Sequence, residues 1–319
     1  MAAERGHVTT DLEGVIDMRS RAVAAASVVF LLWAAACNGE TAQETDAGPA
    51  TPTETSTGAP PNEIRAEDFS PDLFTEDSAN IDNPWWPLAP GSRFVWEGRA
   101  FEEGERVERR VVFTVTDLTK VIAGVRTRVG WDRDFNDDKL GESELIFLAQ
   151  DKYGNVWHLG QYREVYEDEF VGGRVWVVGD PKGAEAGILM KAEPKVGSPS
   201  YSQGFAPPPW DWDDVARVDQ IGVRTCVPVG CYEDVLVIDE FEPTVPEAHQ
   251  LKFYAPGVGN IRVGWRGVGE EEREVMVLTE FVQLSGDALV KVRARALELE
   301  HRAYAYARLP RAEPTPVEE

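Results

Sequence analysis

Hydrophobic and polar residues alternate along most of the chain between Asn83 and Gln283. Alternation with a period of two places every second side chain on the same face of a β-strand. In the segment RVERRVVFTVTD, for example, Val111, Phe113 and Val115 share one face. Similar runs follow, among them SELIFLAQ, NVWHLGQY, YEDVLVIDEF, HQLKFYAP and REVMVLTEFVQL. The pattern predicts a β-rich domain over residues 66–284.

Short turn signals separate these runs, at Asn136-Asp137-Asp138, at residues 151–155 and at Pro256-Gly257. Strands that follow each other through short turns pair antiparallel, because parallel pairing needs a connection of about a dozen residues or more. Strands do not alternate with helices along the chain. The predicted fold class is therefore mainly β, a curved antiparallel sheet or half-open barrel.

A different period appears near the C-terminus. The apolar positions recur at intervals of three and four: Leu289, Val292, Ala296, Leu299, Ala303 and Tyr306. This spacing forms one apolar stripe on an amphipathic α-helix. Ser285 is a suitable N-cap and Pro310 prevents continuation. We expect a helix over residues 285–308 that packs on the sheet, followed by a disordered tail at 309–319.

The first forty residues have the pattern of an export signal. Two arginines precede an apolar run of fifteen residues, Ala22 to Ala36, which is shorter than the ~18 or more that cross a bilayer. Small residues then lead directly to Cys37 in LLWAAACNGE. The pattern resembles the lipobox of bacterial lipoproteins, although Ala34 stands where that family has a larger aliphatic residue. The resemblance implies removal of the signal region 1–36 and a diacylglyceryl anchor on the thiol of Cys37.

Two alternatives stay open for this signal. One is an ordinary secretory signal in which Cys37 is incidental, and the other is an uncleaved anchor. The sequence from Met18 is already a complete signal, whereas residues 1–17 are polar and net acidic, so we expect translation to start at Met18. The prediction is an extracytoplasmic lipoprotein at the cell surface or the periplasmic face, with the lipid bilayer as its partner through Cys37.

Residues 37–65 consist mainly of Thr, Glu, Pro, Gly and Ala and have almost no large apolar side chains. Such a segment cannot bury enough surface to offset the entropy of ordering it, so we expect a lipid-anchored disordered linker. The chain has a formal net charge of −24. Residues 1–36 contain three basic and four acidic residues, so their removal leaves −23. This charge repels nucleic acid, which is excluded as a partner.

Two cysteines follow Cys37, and both lie in the segment TCVPVGCYEDV. The four residues between Cys226 and Cys231 have the composition of a turn between two strands. Cysteines that flank a short hairpin loop can face each other at disulfide distance, and an oxidising compartment preserves the bond. The sequence favours a disulfide. Two free buried thiols and a metal pair are the alternatives.

The motifs of common enzyme and cofactor sites are absent from the sequence. Phosphate-binding loops, nucleophile elbows and His-Glu-x-x-His do not occur, and three scattered histidines follow the signal. The signal is also followed by 52 carboxylates, too many to select an acid–base pair without geometry. We predict no catalytic residue and no cofactor.

One acidic run, DRDFNDDKLGE, partly matches a calcium-binding loop. Asp132, Asp134 and Asn136 occupy its first, third and fifth positions. Asp137 and Ser143, however, stand where the loop needs Gly and Glu. An exposed hairpin tip is therefore the preferred interpretation, and no metal site is predicted.

Tryptophan is the remaining indicator of a binding site. The chain contains ten tryptophans, and four of them lie beside Pro-rich loops: Trp85, Trp86, Trp210 and Trp212. Exposed tryptophan stacks on sugars or holds apolar ligands, whereas buried tryptophan fills a β core. We expect these four to line the mouth of a ligand-binding cleft. The alternative is that all of them are core residues.

Three stretches, NPWWPLAPGS, AQDKYGNVWHLG and FYAPGVGNIR, resemble segments shared by a group of uncharacterised extracytoplasmic bacterial proteins. The similarity extends over about Asn83 to Leu309. It implies location and a β-rich architecture, and it implies no activity. The curved sheet with one helix is also similar to the half-open barrels of periplasmic lipoprotein carriers, at the level of fold alone.

Three hypotheses about function follow. The first is a non-enzymatic binding module that holds an apolar or carbohydrate ligand on its concave face, with Trp85 and Trp86 near the entrance. The second is a structural or protein-interaction lipoprotein with a filled core. The third is a hydrolase that uses a carboxylate pair. A roomy cavity lined by tryptophan, a filled interior, or two facing buried carboxylates would favour each in turn.

Overall fold

The computed structural model describes residues 64–65, 67–102 and 104–315. The predicted signal, Cys37 and the linker up to residue 63 lie outside the described residues. Within them the chain forms sixteen strands, one α-helix and a short 3-10 helix at Pro71–Leu73. The strands are β1 (Ile64–Arg65), β2 (Ser92–Glu102), β3 (Glu105–Ile122), β4 (Val125–Asn136), β5 (Lys139–Gln150), β6 (Val156–Tyr166), β7 (Phe170–Val177), β8 (Glu185–Met190), β9 (Ser200–Ser202), β10 (Gly204–Phe205), β11 (Val215–Val227), β12 (Gly230–Phe241), β13 (His249–Ala255), β14 (Gly259–Arg266), β15 (Val275–Gln283) and β16 (Glu313–Pro314).

The strands form one open sheet in the order β1-β9-β11-β12-β13-β14-β15-β2-β3-β4-β5-β6-β8-β10, with β7 paired to β6 and β16 paired to β3. The named strands pair antiparallel, except that β1 is parallel to β9. Strands β9 and β10 belong to opposite ends of this order, yet Gln203 alone separates them in the chain. The two ends of the sheet therefore approach each other. The prediction of a mainly β fold with a curved, open antiparallel sheet is confirmed.

The face of the sheet that carries Phe113 is concave. Trp86 packs on Phe113 of β3 and on Tyr254 of β13, with ring centroids 6.4 Å apart in both pairs. These two strands are four positions apart in the sheet, which is roughly 19 Å along a flat surface. One indole reaches both rings because the sheet bends towards it. We call this face the inner face and the opposite one the outer face.

The hydrophobic core covers one end of the inner face and much of the outer face. Inner-face core residues include Phe94, Trp96, Val111, Phe113, Tyr254 and Leu278. Burying side chains of this size stabilises the fold by about 1.5–3 kcal/mol each. The segment before β2 covers the same end, since the backbone N–H of Gln150 donates to Ser78 (2.8 Å) and that of Gly257 donates to Pro84 (2.7 Å).

The helix α1 (Asp287–Ala303) packs on the outer face, in contact with β3, β5 and β7. Ala296, Leu299 and Ala303 of the predicted stripe are buried, so the prediction of one C-terminal amphipathic helix is confirmed. It is shorter than predicted, because Gly286 adopts a positive φ of 53° before it and the chain turns at Tyr304. No helix in the described part of the chain combines the length and the apolar character needed to cross a membrane.

The chain after α1 is ordered up to Thr315, whereas the sequence predicts a disordered tail from residue 309. Glu313 and Pro314 pair with β3, and the backbone N–H of Ala312 donates to Glu300 (2.8 Å). Thr315 accepts a hydrogen bond from Arg128 (2.8 Å). These partners come from strands and helix far away in the sequence, which a local composition signal does not reveal.

The two downstream cysteines form a disulfide, as predicted. Cys226 and Cys231 are directly opposite each other where β11 and β12 meet at their hairpin turn, and their Cα atoms are 4.0 Å apart. The bond joins two strands that already pair along their length. It therefore fixes the hairpin end rather than the fold.

Candidate functional site

Trp85 and Trp86 lie at the covered end of the inner face. Their backbone N–H groups donate to the side chain of Asn83, at 2.8 Å and 3.1 Å, which sets the direction of the chain. Both indoles are half-buried against the hydrophobic core. Within the described residues, the two indoles therefore close one end of the sheet.

Trp210 and Trp212 lie in a different place, on a loop over residues 206–214 that we call the Pro-Trp loop. Two backbone hydrogen bonds between Ala206 and Trp212 close this loop, at 2.8 Å and 3.0 Å. Trp212 packs on Trp176 with ring centroids 5.5 Å apart, and the guanidinium of Arg163 lies 5.0 Å from the ring centroid of Trp210. The two predicted tryptophan pairs therefore belong to separate hydrophobic clusters.

A small cavity of about 10 Å³ lies beside the Pro-Trp loop, lined in part by Trp176, Trp210 and Arg174. That volume is enough for one water molecule. A larger, open groove of about 670 Å³ lies at the rim of the sheet and is lined by Glu97, Gly98, Glu108, Arg109, Arg110, Asp137 and Asp138. The larger groove is thus lined by charged side chains rather than by tryptophan.

Charged side chains follow one another across the inner face, next to the Pro-Trp loop. Register places Asp132 of β4 opposite Glu144 of β5, and Glu144 opposite Arg163 of β6. Asp134 and Glu142 form the next pair in the same direction. With two further side chains from β3 and from the residue before β15, we call this set the charged row: Arg109, Asp132, Asp134, Glu142, Glu144, Arg163 and Glu274.

The two arginines of the charged row hold several of its carboxylates. Arg109 binds Asp134 at 2.7 Å through Nη2 and lies 3.2 Å from Glu274 through Nε. Arg163 donates through Nε to Glu144 and lies 3.4 Å from Glu142. Most side chains of the row are 8 to 28% exposed, as in Glu274 and Glu142. Solvent therefore reaches a charged surface that lies deep in the sheet.

Four carboxylates of the row, Asp132, Asp134, Glu144 and Glu274, have raised pKa values, which favour their protonated forms. Burial raises the pKa of Glu144 to about 7, although Arg163 opposes the shift. Burial likewise raises the pKa of Glu274 to about 7, against the charge of Arg109. For Asp132, burial and then the neighbouring charges of Asp134 and Glu144 raise the pKa well above its ordinary value. The two arginines do not fully compensate the acidic groups.

Polar groups next to the row lack hydrogen-bond partners. Neither ring nitrogen of His158 makes a hydrogen bond of good geometry, and the indole N–H of Trp176 has no acceptor. Both side chains are almost completely buried, with 4% and 3% exposure, and their rings are 4.7 Å apart. Burial lowers the pKa of His158 to about 3, so this imidazole is neutral. Unsatisfied buried polar groups are uncommon in native proteins and mark a place for water or a ligand.

The interpretation of the DRDFN segment as an exposed hairpin tip is wrong for its first residues. Asp132 and Asp134 lie on β4 and are half-buried, and the turn is limited to Asp137 and Asp138. Arginine partners and register with β5 hold them in the wall of the inner face. No three His, Cys, Asp or Glu side chains in the described residues are arranged to hold a metal ion.

Comparisons with known proteins find weak structural similarity alone. No family model matches the chain, and no curated protein matches it. A predicted exported protein with a YmcC-like fold from Bacteroides fragilis aligns at 12% identity over 62% of this chain and 99% of its own, with a TM-score of 0.33. A predicted lipoprotein from Parabacteroides distasonis aligns at 11% identity over 63% and 99%, with a TM-score of 0.34. These scores are too low to carry an argument about this chain.

Proposed function

We propose that this protein is an extracytoplasmic, membrane-anchored lipoprotein that binds a carbohydrate on the inner face of its sheet. The observation that carries the proposal is the charged row, whose side chains are mostly 8 to 28% exposed and whose Arg163 lies against Trp210 of the Pro-Trp loop. Hydroxyl-rich ligands suit this combination, because charged and amide side chains bind hydroxyl groups while indole rings stack on sugar faces. An apolar ligand suits it less, since it would bury these charges without solvent.

The anchor in this proposal depends on Cys37 and the linker. A disordered linker over residues 37–65, as their composition predicts, would have a root-mean-square span of roughly 30 Å. Such a tether lets the inner face meet ligands away from the bilayer surface. The Cys226–Cys231 disulfide is compatible with an oxidising compartment outside the cytoplasm.

The anchor is tested with the full chain in a bacterial host by Cys37→Ser. We expect the variant to lose metabolic labelling with palmitate and to leave the detergent phase on phase separation. Thr41→Ala, in the same linker, is the matched control and should partition as the unmodified protein does. Unchanged labelling and partitioning of Cys37→Ser would remove the anchor from the proposal.

Carbohydrate binding is tested by titrating the full chain with neutral hexasaccharides of glucose, mannose and N-acetylglucosamine, followed by calorimetry and tryptophan fluorescence. We expect at least one of them to bind, and Trp210→Ala to weaken it by about tenfold, or about 1.4 kcal/mol. Tyr153→Ala, at an exposed turn (65% exposed) beyond the covered end of the sheet, is the control. If none of the three sugars binds, and charged hexamers of glucosamine and galacturonate do not bind either, the proposal fails.

One observation favours a hydrolase as the second candidate function. Asp132 and Glu144 face each other on neighbouring strands, and the pKa of each is raised by burial. A protonated carboxyl beside an ionised one is the minimal equipment of a glycoside hydrolase. Mass spectrometry of the same hexasaccharides after incubation decides between the two. Shortened products that disappear with Glu144→Gln would identify an enzyme, and intact hexasaccharides would leave the binding proposal in place.

A further inference from the structure

We propose that the carbohydrate recognised by the inner face carries a positive charge, as an amino sugar does. This inference rests on the proposed function and specifies its ligand. The inner face presents the carboxylates of Asp132, Asp134, Glu142, Glu144, Asp214, Glu240 and Glu274 against the basic groups of Arg109, Arg163, Arg174 and Lys252. The acidic groups outnumber the basic ones, and a bound ammonium group supplies the missing charge.

The excess of acid is concentrated beside the Pro-Trp loop. Lys252 is already engaged, with its Nζ 2.5 Å from Glu240, whose other oxygen accepts from Gln203 at 2.9 Å. Asp214, which ends the loop, is not part of an ion pair in the described residues. Burial, together with the charge of Glu240, raises the pKa of Asp214 to about 6. A hydrogen bond with the side chain of Trp212 and the charge of Lys252 oppose the shift. A bound cation stabilises a buried carboxylate of this kind more than it stabilises a carboxylate that already forms an ion pair.

A second, independent observation marks this place as a ligand site. Trp176 lies in the same row as Gln161, and the side chain of Gln161 donates to Glu144. The indole N–H of Trp176 is buried there without a hydrogen-bond partner, and the ring nitrogens of His158 make no hydrogen bond of good geometry. Neutral imidazole and indole groups accept from and donate to hydroxyl groups. The site therefore offers carboxylates for an ammonium group and, beside them, neutral partners for hydroxyl groups.

The aromatic rings around the site agree with a cationic ligand. The guanidinium of Arg163 already lies against the face of Trp210, and the rings of Trp176 and Trp212 pack around His158 at 4.7 Å and 5.3 Å. Indole faces attract cations through the ring quadrupole. An ammonium-bearing sugar uses the carboxylates and the indole faces together, whereas a sugar acid would meet an excess of like charge.

The experiment compares three hexasaccharides on the full chain by calorimetry at about pH 7. At this pH amino groups still hold most of their protons, and carboxylates with a pKa of about 7, such as Glu144 and Glu274, are partly ionised. They are hexamers of glucosamine, which is cationic, of N-acetylglucosamine, which has the same backbone without charge, and of galacturonate, which is anionic. We expect glucosamine to bind at least tenfold more tightly than N-acetylglucosamine, with a strong dependence on salt, and galacturonate to bind most weakly.

Two variants locate the effect. Asp132→Asn removes a carboxylate that has no basic partner at salt-bridge distance in the described residues, and we expect it to reduce the preference for glucosamine at least threefold. Glu193→Gln removes one charge from an exposed position (side chain 83% exposed) and is the control for net charge, with no expected change. The comparison of the three sugars on the unmodified protein decides the question even if Asp132→Asn folds poorly.

The outcomes separate this inference from the proposed function. Equal binding of the glucosamine and N-acetylglucosamine hexamers, or tighter binding of galacturonate, would overturn the cationic ligand while carbohydrate binding stands. An equal loss of preference in Asp132→Asn and Glu193→Gln would assign the effect to net charge and overturn the site. If none of these three hexamers binds, and the neutral hexasaccharides of glucose and mannose do not bind either, both proposals are wrong.

Discussion

The two faces of the sheet bury carboxylates in opposite ways. On the outer face, the Glu164 side chain is completely buried, and it accepts hydrogen bonds from Arg302 of α1 at 2.6 Å and 2.9 Å and from Tyr162 at 2.6 Å. The hydroxyl of Tyr166 also donates to Glu164, at 2.5 Å. Burial favours the protonated form of Glu164, but the hydrogen bonds from Arg302 and the two tyrosines outweigh burial and lower its pKa. On the inner face, burial prevails over Arg163 and raises the pKa of Glu144.

A second outer-face network has the same character. Asp239 is completely buried, and it accepts from Arg217 at 2.6 Å and from Arg266 at 2.5 Å, with His249 at 2.9 Å. Its donors come from three strands, β11, β13 and β14, so the network ties them together. Buried charge is thus not by itself a functional signal. On the inner face, by contrast, the carboxylates outnumber the basic groups that could neutralise them. This imbalance lowers the stability of the fold, and binding of an external cation would compensate it.

The largest expected effect is on the outer face, from Lys120→Met. Lys120 is completely buried, and its Nζ lies 2.6 Å from Glu300 of α1, whose side chain is 5% exposed. The variant leaves Glu300 without its counter-charge, so we expect a loss of about 3–5 kcal/mol in the free energy of unfolding. Guanidinium denaturation measures it.

The control is the double variant Lys120→Met with Glu300→Leu, which removes both charges. We expect it to recover most of the lost stability, because two apolar side chains can replace a buried ion pair. A single variant that costs no more than an exposed substitution would mean that matched charges do not hold the helix on the sheet.

The next effect concerns the inner face and pH. Glu144 has an ordinary pKa of 4.5 and a folded-state pKa of about 7, so the folded protein binds a proton between these values that the unfolded chain has released. Its contribution to stability therefore falls as pH rises through this window and is least favourable above pH 7. Glu144→Gln should be more stable than the unmodified protein at about pH 8, by up to about 3 kcal/mol, and equal to it at about pH 4.

Thermal unfolding across this range checks the prediction. Glu193→Gln, on the exposed surface, should follow the unmodified protein at every pH. If the unmodified protein and Glu144→Gln show the same dependence of stability on pH, the prediction is contradicted. The inner carboxylates would then be fully compensated by their basic partners.

A third, smaller effect concerns the disulfide, which belongs to neither charged face. Cys226→Ser combined with Cys231→Ser should cost about 1–2 kcal/mol, because the bond closes a short loop in the unfolded chain. Sugar binding and the pH dependence of unfolding should not change. A double variant that alters either property would place the hairpin end within the functional region.

The strands, the helix and the disulfide could be predicted because each leaves a local pattern. Alternation marks the strands, the 3–4 spacing marks α1, and two cysteines flank one turn. The charged row also had a local signal. Asp132 and Asp134 alternate before the turn at 137–138 as Glu142 and Glu144 do after it, which places the four on one face of a hairpin.

The side of the sheet on which these four residues lie could not be predicted. Polar residues at every second position of an antiparallel strand usually mark the face towards water. Here the sheet bends so that this face is the inside, and the bend depends on contacts between distant parts of the chain, such as Trp86 with Phe113 and Tyr254. For the same reason, the prolines beside Trp85 and Trp86 predict a loop, but they do not show which part of the sheet this loop packs on.

The smallest effect tests whether burial or the face itself makes the outer charges structural. Arg295 and Glu298 form an ion pair on α1 at 2.7 Å, with side chains 68% and 54% exposed. Solvent screens such a pair, so we expect Glu298→Gln to change the free energy of unfolding by less than about 0.5 kcal/mol. Chemical denaturation at low and high salt measures it. A cost as large as that of Lys120→Met would show that position on the outer face matters more than burial, and the contrast between matched and unmatched buried carboxylates would then lose its physical basis.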